Sequence, residues 1–418
     1  MNKEIKQGYK QTKVGIIPED WKVVKLGNIC KFYKGKGISK ENLSEEGIPC
    51  IRYGELYTTY NEKIDNIFSK TNVDIKELFL SKSNDIIIPA SGETAIDIAT
   101  ASCVLHDNIA LSGDLNVIRT KENGIFLSYY LNVVAKHRIA SIAQGVSVVH
   151  LYSSQLENLF LSLPPIKEQE KIAEILTTWD EAITKQTELL RAKELQKKAL
   201  MQKLLSGEVR FDGFSDKWEE VRLGEIGNSF NGLSGKTGED FGIGEAKYIT
   251  YKNIFNYSKI KLDIFENVQI SNDEKQNLVQ FGDIFFTVSS ETPEEVGMSS
   301  VLLDNVSNTY LNSFCFGYRL NNFNTLDPYF ARFYFRSFQM RDKISRLAQG
   351  STRFNLSKNE IMKLKIKLPS LPEQQKIAEV LSLADDEINL LRNELEELKL
   401  QKKALMQKLL TGQVRVKV

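Results

Sequence analysis

Residues 163–211 read LPPIKEQEKIAEILTTWDEAITKQTELLRAKELQKKALMQKLLSGEVRF, and residues 368–416 read LPSLPEQQKIAEVLSLADDEINLLRNELEELKLQKKALMQKLLTGQVRV. The two stretches align without a gap, and the block 196–205 is identical to the block 401–410. A repeat of this kind decides how the rest of a chain is interpreted. The order is therefore module, repeat, second module, second repeat.

Both repeats carry the signals of a long helix. Each follows a proline turn and ends at a glycine, Gly207 or Gly412, which are typical helix boundaries. In the second repeat, apolar residues recur at alternating spacings of four and three, which indicates a coiled-coil seam. The seam residues are Ile377, Leu381, Ala384, Ile388, Leu391, Leu395, Leu398, Leu405 and Leu409. Gln186, Lys193 and Lys197 interrupt the seam of the first repeat, and we expect water or partner contacts to satisfy them.

A helix of about 40 residues is about 60 Å long and cannot leave an apolar stripe in water. The nearest partner is the other repeat, so the sequence favours pairing within the chain. Packing of each helix against a separate protein is the alternative.

Bulk composition is that of a globular protein with a substantial core. Of 418 residues, 42% are hydrophobic and 26% are charged, and the length allows two to four domains. The four cysteines contain no C-x-x-C pair, which favours reduced thiols over disulfides or zinc. The sequence shows no long apolar run and no signal peptide, so we expect a cytoplasmic protein without a membrane span. A net charge of +1 leaves any contact with nucleic acid to local basic patches.

The two modules are diverged copies of each other. Their shared landmarks, in chain order, are W-x4-L-G at residues 21–27 and 218–224, NDIIIPASGET at 84–94 with GDIFFTVSSET at 282–292, and QGVSVVHL at 144–151 with QGSTRFNL at 349–356. Short apolar runs bounded by turn residues predict buried strands at DIIIP and DIFFT. One helix is predicted over 126–143 and its counterpart over 328–348. Each module is therefore predicted to be an α+β domain with a β core.

Tests for catalytic and metal sites fail. Gly235-Lys236-Thr237 looks like the end of a phosphate loop, but Phe230 occupies the position of the required first glycine. No histidine has cysteine or histidine partners at metal-ligand spacing, and Ser91-Gly92-Glu93-Thr94 is no nucleophile elbow. We therefore expect no catalytic residue and no metal site.

Polar and basic segments of the modules are better candidates for contacts with DNA. Basic side chains at helical spacing after Pro328 can follow phosphates, and arginine and glutamine can contact base edges. A solvated helix face, turn caps and mobile glycine loops are the structural alternatives. The candidate DNA-binding residues are Lys34, Lys36, Tyr53, Ser91, Gly92, Thr94 and Gln144 in the first module, and Lys236, Thr237, Tyr251, Lys252, Ser289, Ser290, Thr292, Arg332, Arg336, Lys343, Gln349, Ser351 and Arg353 in the second. Val148-Val149 is aligned with Thr352-Arg353, so the two modules are not expected to read the same bases.

Several of these motifs together resemble the DNA-specificity subunit of Type I restriction–modification systems. They are G-x-I-P-x-x-W at residues 15–21, the two W-x4-L-G openings, the Q-G loops, L-P-P/S-x-x-E-Q-x-K-I-A-E at the start of each repeat, and Q-K-K-A-L-M-Q-K-L-L-S/T-G near its end. The resemblance covers essentially the whole chain, and its specific part is the duplicated helix signature.

The resemblance implies an α+β protein in which two target recognition domains alternate with two helical spacers that pair as an antiparallel coiled coil. The implied boundaries are 1–162 and 212–367 for the recognition domains and 163–211 and 368–418 for the spacers. Each recognition domain would read one half of an interrupted, asymmetric double-stranded DNA target. The chain itself would be non-catalytic.

The resemblance also implies partners. Two methyltransferase subunits would bind S-adenosylmethionine and methylate adenine, and restriction subunits would use ATP and magnesium to translocate and cleave DNA. The helix beginnings are hypothetical partner contacts: Glu168, Gln169, Lys171, Glu373, Gln374 and Lys376. Helix capping is the structural alternative for them. A cryptic nuclease or methyltransferase and a coiled-coil adaptor that never reads DNA are the competing functions.

Overall fold

The computed structural model describes residues 5–271 and 273–417. Residues 1–4, 272 and 418, which include the outer ends of the predicted segments 1–162 and 368–418, lie outside the described residues. The chain forms two compact units: unit 1 comprises residues up to 187 and from 393 onward, and unit 2 comprises residues 188–392. Each unit therefore holds one module, the beginning of the long helix that follows it, and the end of the other long helix. The four segment boundaries drawn along the sequence stay a prediction.

Two long helices occupy the repeats, as predicted. The first spans Ile166–Ser206 and the second spans Leu371–Leu410. In unit 1, Asp180 contacts Lys402 and Gln186 donates to Glu394 at 3.0 Å, so residue numbers rise along one helix as they fall along the other. The two helical segments of unit 1 are antiparallel, which confirms pairing within the chain.

Unit 2 repeats this arrangement with the opposite ends of the same helices. Lys197 contacts Asp385, and the Lys193 ammonium lies 2.6 Å from a Glu387 carboxylate oxygen. Carboxylates of the facing helix thus satisfy the polar breaks in the first seam. The expected partner contacts are supplied by the second long helix, because its acidic residues lie opposite each break.

The module of unit 1 is built on two main sheets. The five-stranded sheet has the order Cys30–Lys34, Leu115–Thr120, Asp85–Pro89, Ser102–Val104 and Lys63–Ile64. The four-stranded sheet has the order Ala110–Leu111, Ile48–Ile51, Ser69–Thr71 and Leu43–Ser44. Three two-stranded pairs complete it: Tyr9–Thr12 with Gly15–Pro18, Lys22–Lys25 with Phe160–Leu163, and Ser91–Gly92 with Val149–His150.

The module of unit 2 keeps the central order with fewer strands. Its four-stranded sheet runs Gly227–Asn231, Cys315–Leu320, Ile284–Thr287 and Ser299–Val301. Its three-stranded sheet runs Glu266–Val268, Phe241–Ile249 and Thr309–Leu311. Two pairs complete it: Glu219–Arg222 with Lys365–Leu368, and Ser289–Ser290 with Phe354–Asn355.

Short helices connect these strands. In unit 1 they are Leu26–Ile29, Glu55–Thr58, Ala95–Ile98, Gly124–Val133, Lys136–Ile142 and Ser153–Leu156, with 3-10 turns at Lys40–Asn42 and Ile75–Glu77. In unit 2 they are Leu223–Ile226, Tyr251–Asn256, Pro328–Tyr334, Phe338–Ser345 and Lys358–Lys363, with 3-10 turns at Gly238–Asp240 and Leu262–Ile264. The mixed α+β class is therefore confirmed.

The predicted single helix after each central sheet is wrong, because both modules break it in two. In unit 2 the break falls at Ser337, whose hydroxyl accepts from the Met340 N–H and caps a new helix. In unit 1 the break falls between Gly124–Val133 and Lys136–Ile142. Side chains before and after each break consequently do not share one helix face.

Each module closes its core over helix ends from the long repeats. In unit 1, Ile172 and Leu176 from the first helix and Leu409 from the second pack with the buried residues of the module. In unit 2, Leu204 and Leu381 do the same. Apolar burial stabilises a fold by about 25 cal/mol per Å². The modules are therefore fastened to the helices by their main hydrophobic cores.

Both modules contain an equivalent ion pair in which the carboxylate is buried. Arg119 donates two hydrogen bonds to Asp85 at 2.7 and 2.6 Å, and Arg319 donates two to Asp283 at 2.7 Å each. Burial raises the pKa of Asp283, while the guanidinium of Arg319 opposes that rise. The ion pair therefore occupies the same place in both modules, at the start of the central strand that leads to the candidate site.

Candidate nucleic-acid interface

Each unit carries a closed loop, here called the tip loop, that lies beside the end of the central strand. The tip loop comprises residues 144–150 in unit 1 and 349–355 in unit 2. In unit 2, Gln349 and Asn355 exchange backbone hydrogen bonds of 2.9 and 2.8 Å. Gln144 and His150 do the same in unit 1 at 2.9 and 2.7 Å. The loop ends pair with the serine segments 289–290 and 91–92. The predicted Q-G and S-x-E-T motifs are therefore brought together in both modules.

Glycine is required at the second position of each tip loop. Gly350 has φ +133° and Gly145 has φ +128°, a region that side-chain-bearing residues avoid. A Cβ on Gly350 would lie 2.1 Å from the carbonyl oxygen of Arg353, and one on Gly145 would lie 2.0 Å from that of Val148. The turn of each loop therefore depends on the missing side chain.

Strand register aligns the two tip loops in the same way as the match of residues 144–151 with 349–356. Gly92 pairs with Val149 where Ser290 pairs with Phe354, so Val148 corresponds to Arg353. The predicted alignment of Val148-Val149 with Thr352-Arg353 is wrong. The expectation that the first loop lacks the arginine still holds, because its counterpart is a valine.

Two aromatic residues at or just before the short helix beside each tip loop form a pair. Tyr53 and Tyr57 have ring centroids 6.5 Å apart, and Tyr251 and Phe255 stack at 5.8 Å. The Tyr251 hydroxyl donates to the Ser289 carbonyl at 2.8 Å, whereas in unit 1 Tyr57 donates to the Ser91 carbonyl at 3.2 Å. Tyr57 was missed by sequence reasoning, although its four-residue spacing from Tyr53 was visible in the sequence.

The unit 2 tip loop borders a cavity of about 550 Å³. Tyr251 and Phe255 line one part, and Glu291, Glu295 and Arg353 supply charged groups. Phe314 also lines the cavity, although its side chain is 59% exposed. Sequence reasoning missed Phe314, since an aromatic residue in a turn gives no periodic signal.

Several predicted DNA contacts are available to a ligand. Within the described parts of the chain, the side chains of Lys34, Lys36 and Lys252 are exposed and make no hydrogen bond or ion pair. Lys343 is exposed and, among the residues that the structure describes, donates only to the Lys365 carbonyl, at 3.2 Å. Ser351 is also exposed. These residues stay predictions for DNA binding, and their exposure is compatible with that role.

Other predicted contacts have local roles in the fold. Thr94 accepts from the Asp97 N–H and caps the helix Ala95–Ile98, while Thr292 is exposed. Thr237 donates to Asp240 at 3.0 Å within a 3-10 turn. The side chain of Lys236 is only 4% exposed and donates to Glu274 at 2.5 Å. Lys236 is therefore a structural cation in this conformation, and a phosphate contact by it does not fit.

The predicted basic helix face is corrected by the structure. Arg332 contacts Asp385 and donates to the Ser258 hydroxyl at 2.9 Å. Arg336 donates to four backbone carbonyls, including that of Ser299 at 2.6 Å. Burial lowers the pKa of Arg336 to about 10. Both guanidinium groups hold the module together, so a phosphate contact by either one does not fit this geometry.

Four of the six predicted partner contacts are buried inside the fold. Glu168 accepts two hydrogen bonds from Arg415, at 2.7 and 2.8 Å, and one from Trp21 Nε1 at 3.2 Å. In unit 2, Glu373 accepts two from Arg210, at 2.8 and 2.6 Å. These contacts tie the first turn of one long helix to the segment that follows the end of the other.

The neighbouring glutamines dock each helix start on its own module. Gln169 accepts from the Asn123 N–H at 3.1 Å, and Gln374 accepts from the Asp327 N–H at 2.9 Å. Both are buried, as are Glu168 and Glu373, so an external partner cannot contact these four side chains in this conformation. Lys171 and Lys376 are more accessible and pair with Glu174 and Glu379, each at 2.8 Å.

The described residues contain no group of three or more His, Cys, Asp or Glu side chains placed to hold a metal ion. Among the same residues, no helix is long and apolar enough to span a membrane.

The chain contains two copies of one module. Their tip loops differ, whereas the helix blocks 196–205 and 401–410 are identical, and this combination is typical of a duplicated specificity subunit. The chain belongs to the Type I restriction modification DNA specificity domain family, which matches residues 18–192 and 215–400. It is a specificity subunit of the Type I restriction–modification class, whose specificity subunits are non-catalytic.

Relatives match over nearly the whole chain. The putative type I restriction enzyme MjaX specificity subunit of Methanocaldococcus jannaschii is 28% identical, with 98% of this chain and 97% of the relative covered. The type I restriction enzyme EcoKI specificity subunit of Escherichia coli K12 is 22% identical over 69% of this chain and 65% of its own. A Type-I restriction-modification S subunit from M. genitalium has a similar fold, with a TM-score of 0.58, 17% identity, and 93% and 96% of the two chains covered.

Proposed function

We propose that this subunit reads an interrupted, asymmetric DNA sequence, with one half of the target recognised by each unit. The observation that carries the proposal is the contrast between tip loops and helices. The tip loops differ in charge, with Val148 where the other has Arg353, whereas the helix blocks 196–205 and 401–410 are identical. Two tip loops with different side chains are suited to two half-sites of different sequence. Phosphate contacts by Lys34, Lys36 and Lys252 would position the modules without adding sequence information.

The identical helix blocks suit two copies of one partner. Lys198 and Gln202 are exposed on the first long helix, and their counterparts Lys403 and Gln407 are exposed on the second. We propose that each set helps to hold one methyltransferase subunit. Lys171 and Lys376 are further contacts of the same kind.

In this proposal the chemistry belongs to the partners. The methyltransferase subunits bind S-adenosylmethionine and methylate adenine at N6, and restriction subunits bind ATP and magnesium for cleavage. The long helices, each of which contributes residues to both units, set the number of unread base pairs between the half-sites.

Methyl transfer from labelled S-adenosylmethionine to duplex DNA tests the proposal. The purified chain alone is expected to transfer nothing, and the chain with its methyltransferase partner is expected to methylate duplexes in a sequence-dependent way. Transfer by the chain alone would mean a cryptic methyltransferase. If the assembled complex prefers no duplex, the chain would instead be a structural adaptor. Such an adaptor needs only the paired helices to bind its partners.

Replacement of Gly350 by alanine is expected to impair recognition by unit 2 because the new Cβ would collide with the Arg353 carbonyl. Strain at a backbone position of this kind costs about 1–3 kcal/mol and would displace the tip loop. Methylation of the target by the assembled complex should fall roughly tenfold or more, since 1.4 kcal/mol corresponds to a factor of ten. Gly238→Ala is the matched control, because a Cβ there meets nothing within 4 Å. Equal activity of the two variants would contradict a recognition role for the loop.

A further inference from the structure

The turn before the last central strand lies beside the tip loop in both units. In unit 2, the Val288 N–H donates to the Phe314 carbonyl at 3.0 Å, and the Val288 carbonyl accepts from the Leu356 N–H at 2.7 Å. Val288, which lies between two strands, therefore holds the turn on one side and the end of the tip loop on the other. This places Phe314 and Arg353 on the same cavity.

Unit 1 uses the same backbone arrangement. The Ala90 N–H donates to the Asp114 carbonyl at 2.8 Å, and the Ala90 carbonyl accepts from the Leu151 N–H at 2.9 Å. Asp114 therefore occupies the position of Phe314, just as Val148 occupies that of Arg353. Each unit therefore presents one charged and one apolar side chain at these two positions. In unit 2 the tip-loop residue Arg353 is the charged one, and in unit 1 the turn residue Asp114 is.

Arg353 is poised to donate hydrogen bonds. Its guanidinium makes one hydrogen bond within the described structure, to the hydroxyl of the buried Ser289 at 3.1 Å, and forms no ion pair there. Arg332 and Arg336, by contrast, have their donors engaged. The Ser289 contact orients the guanidinium and leaves donors of both terminal nitrogens available. Paired donors from arginine to O6 and N7 of guanine are the commonest specific base contact.

Asp114 offers the complementary chemistry. Its side chain is exposed and, within residues 5–271 and 273–417, makes no hydrogen bond or ion pair. An ionised carboxylate only accepts hydrogen bonds. At a base edge it pairs with an exocyclic amine, which cytosine and adenine carry and guanine and thymine lack in the major groove. The neighbouring Val148 is 52% exposed and provides no donor.

We propose that these paired positions determine which base each unit reads: Arg353 reads a guanine in one half-site, and Asp114 reads a base with an exocyclic amine in the other. Phe314 and Val148 provide apolar contact beside the charged group, for which a thymine methyl group is the suitable partner. The inference rests on the proposed function, because it requires that the tip loops face the major groove.

The test is the methylation of a randomised duplex library by the full chain assembled with its methyltransferase partner, with modified molecules identified by sequencing. The unchanged complex should yield a target with a guanine in one half. Arg353→Val should lower discrimination for that guanine by roughly 5- to 150-fold and leave the other half unchanged. Val148→Arg should add a guanine preference to the other half. Arg346→Ala, which removes a 75% exposed arginine of the same unit, should change neither half.

Asp114→Phe identifies the base read by unit 1. Loss of preference at one cytosine or at one adenine supports the inference and tells the two amines apart. Uniformly weaker methylation with all base preferences retained, in either Arg353→Val or Asp114→Phe, would make that residue a phosphate or structural contact and overturn the inference for it. Sequence-independent methylation by the unchanged complex would instead overturn the proposed function itself.

Arg353→Lys should keep part of the guanine preference, because lysine also donates to guanine.

Discussion

Replacement of Asp385 by alanine is expected to destabilise the chain by about 3–5 kcal/mol, the cost of removing one partner from a buried ion pair. Asp385 contacts both Lys197 of the first long helix and Arg332 of the module in unit 2. The side chains of Asp385 and Arg332 are each 14% exposed, and burial lowers the pKa of Arg332. Without the carboxylate, two cations would remain close together in a poorly solvated site.

Urea unfolding of the full chain measures this effect. Glu387→Ala on the same helix is the matched control, because Glu387 and Lys193 form a pair with side chains 47% and 30% exposed. Exposed pairs contribute about 0–1 kcal/mol. If Asp385→Ala shifts the unfolding midpoint no more than Glu387→Ala does, then the contact does not fasten the module to the helices.

Glu168→Ala is expected to destabilise the chain by about 3 kcal/mol, at the low end for a broken buried pair. The substitution removes the acceptor for Trp21 Nε1, and Trp21 is fully buried. An orphaned buried donor alone costs about 1–3 kcal/mol. The charge contribution is smaller than at Asp385, because the Arg415 side chain is 38% exposed and keeps its hydrogen bonds to Asp20.

Thermal unfolding distinguishes this role from simple capping of the helix. Glu168→Gln keeps an acceptor for Trp21 and should lose less stability than Glu168→Ala. Lys171→Ala, which removes an exposed residue of the same helix turn, should change stability by no more than about 0.5 kcal/mol. If Glu168→Ala destabilises the chain no more than Lys171→Ala does, then the contacts of Glu168 with Trp21 and Arg415 do not stabilise the fold.

Features that repeat along the sequence were predictable. The duplicated block revealed the helices and the two modules, and apolar runs such as DIIIP revealed the central strands. Heptad spacing also revealed the seam, because periodicity depends on neighbours only a few residues apart. The serine segments and Q-G loops keep the same order along both modules, and the fold pairs them in both, while their role in DNA binding stays a prediction.

Features that depend on distant residues were not predictable. Glu168 resembled an ordinary first-turn acid until the fold placed Arg415 against it, 247 residues away. Likewise Arg332 and Arg336 had helical spacing, yet the break at Ser337 and the acceptors from Ser258 and Asp385 arise only in three dimensions. The G-x-V-R sequence at the end of both repeats was a usable signal, since it places Arg210 and Arg415 at equivalent positions.

The central claim is that two unlike modules on paired helices read one interrupted DNA target. Single-molecule mapping of N6-methyladenine in host DNA, with and without this gene, tests it most directly. We expect one methylated motif that disappears with the gene and consists of two different half-sites separated by unread bases. A methylation pattern unchanged by loss of the gene, or a motif that is continuous or has identical halves, would contradict it.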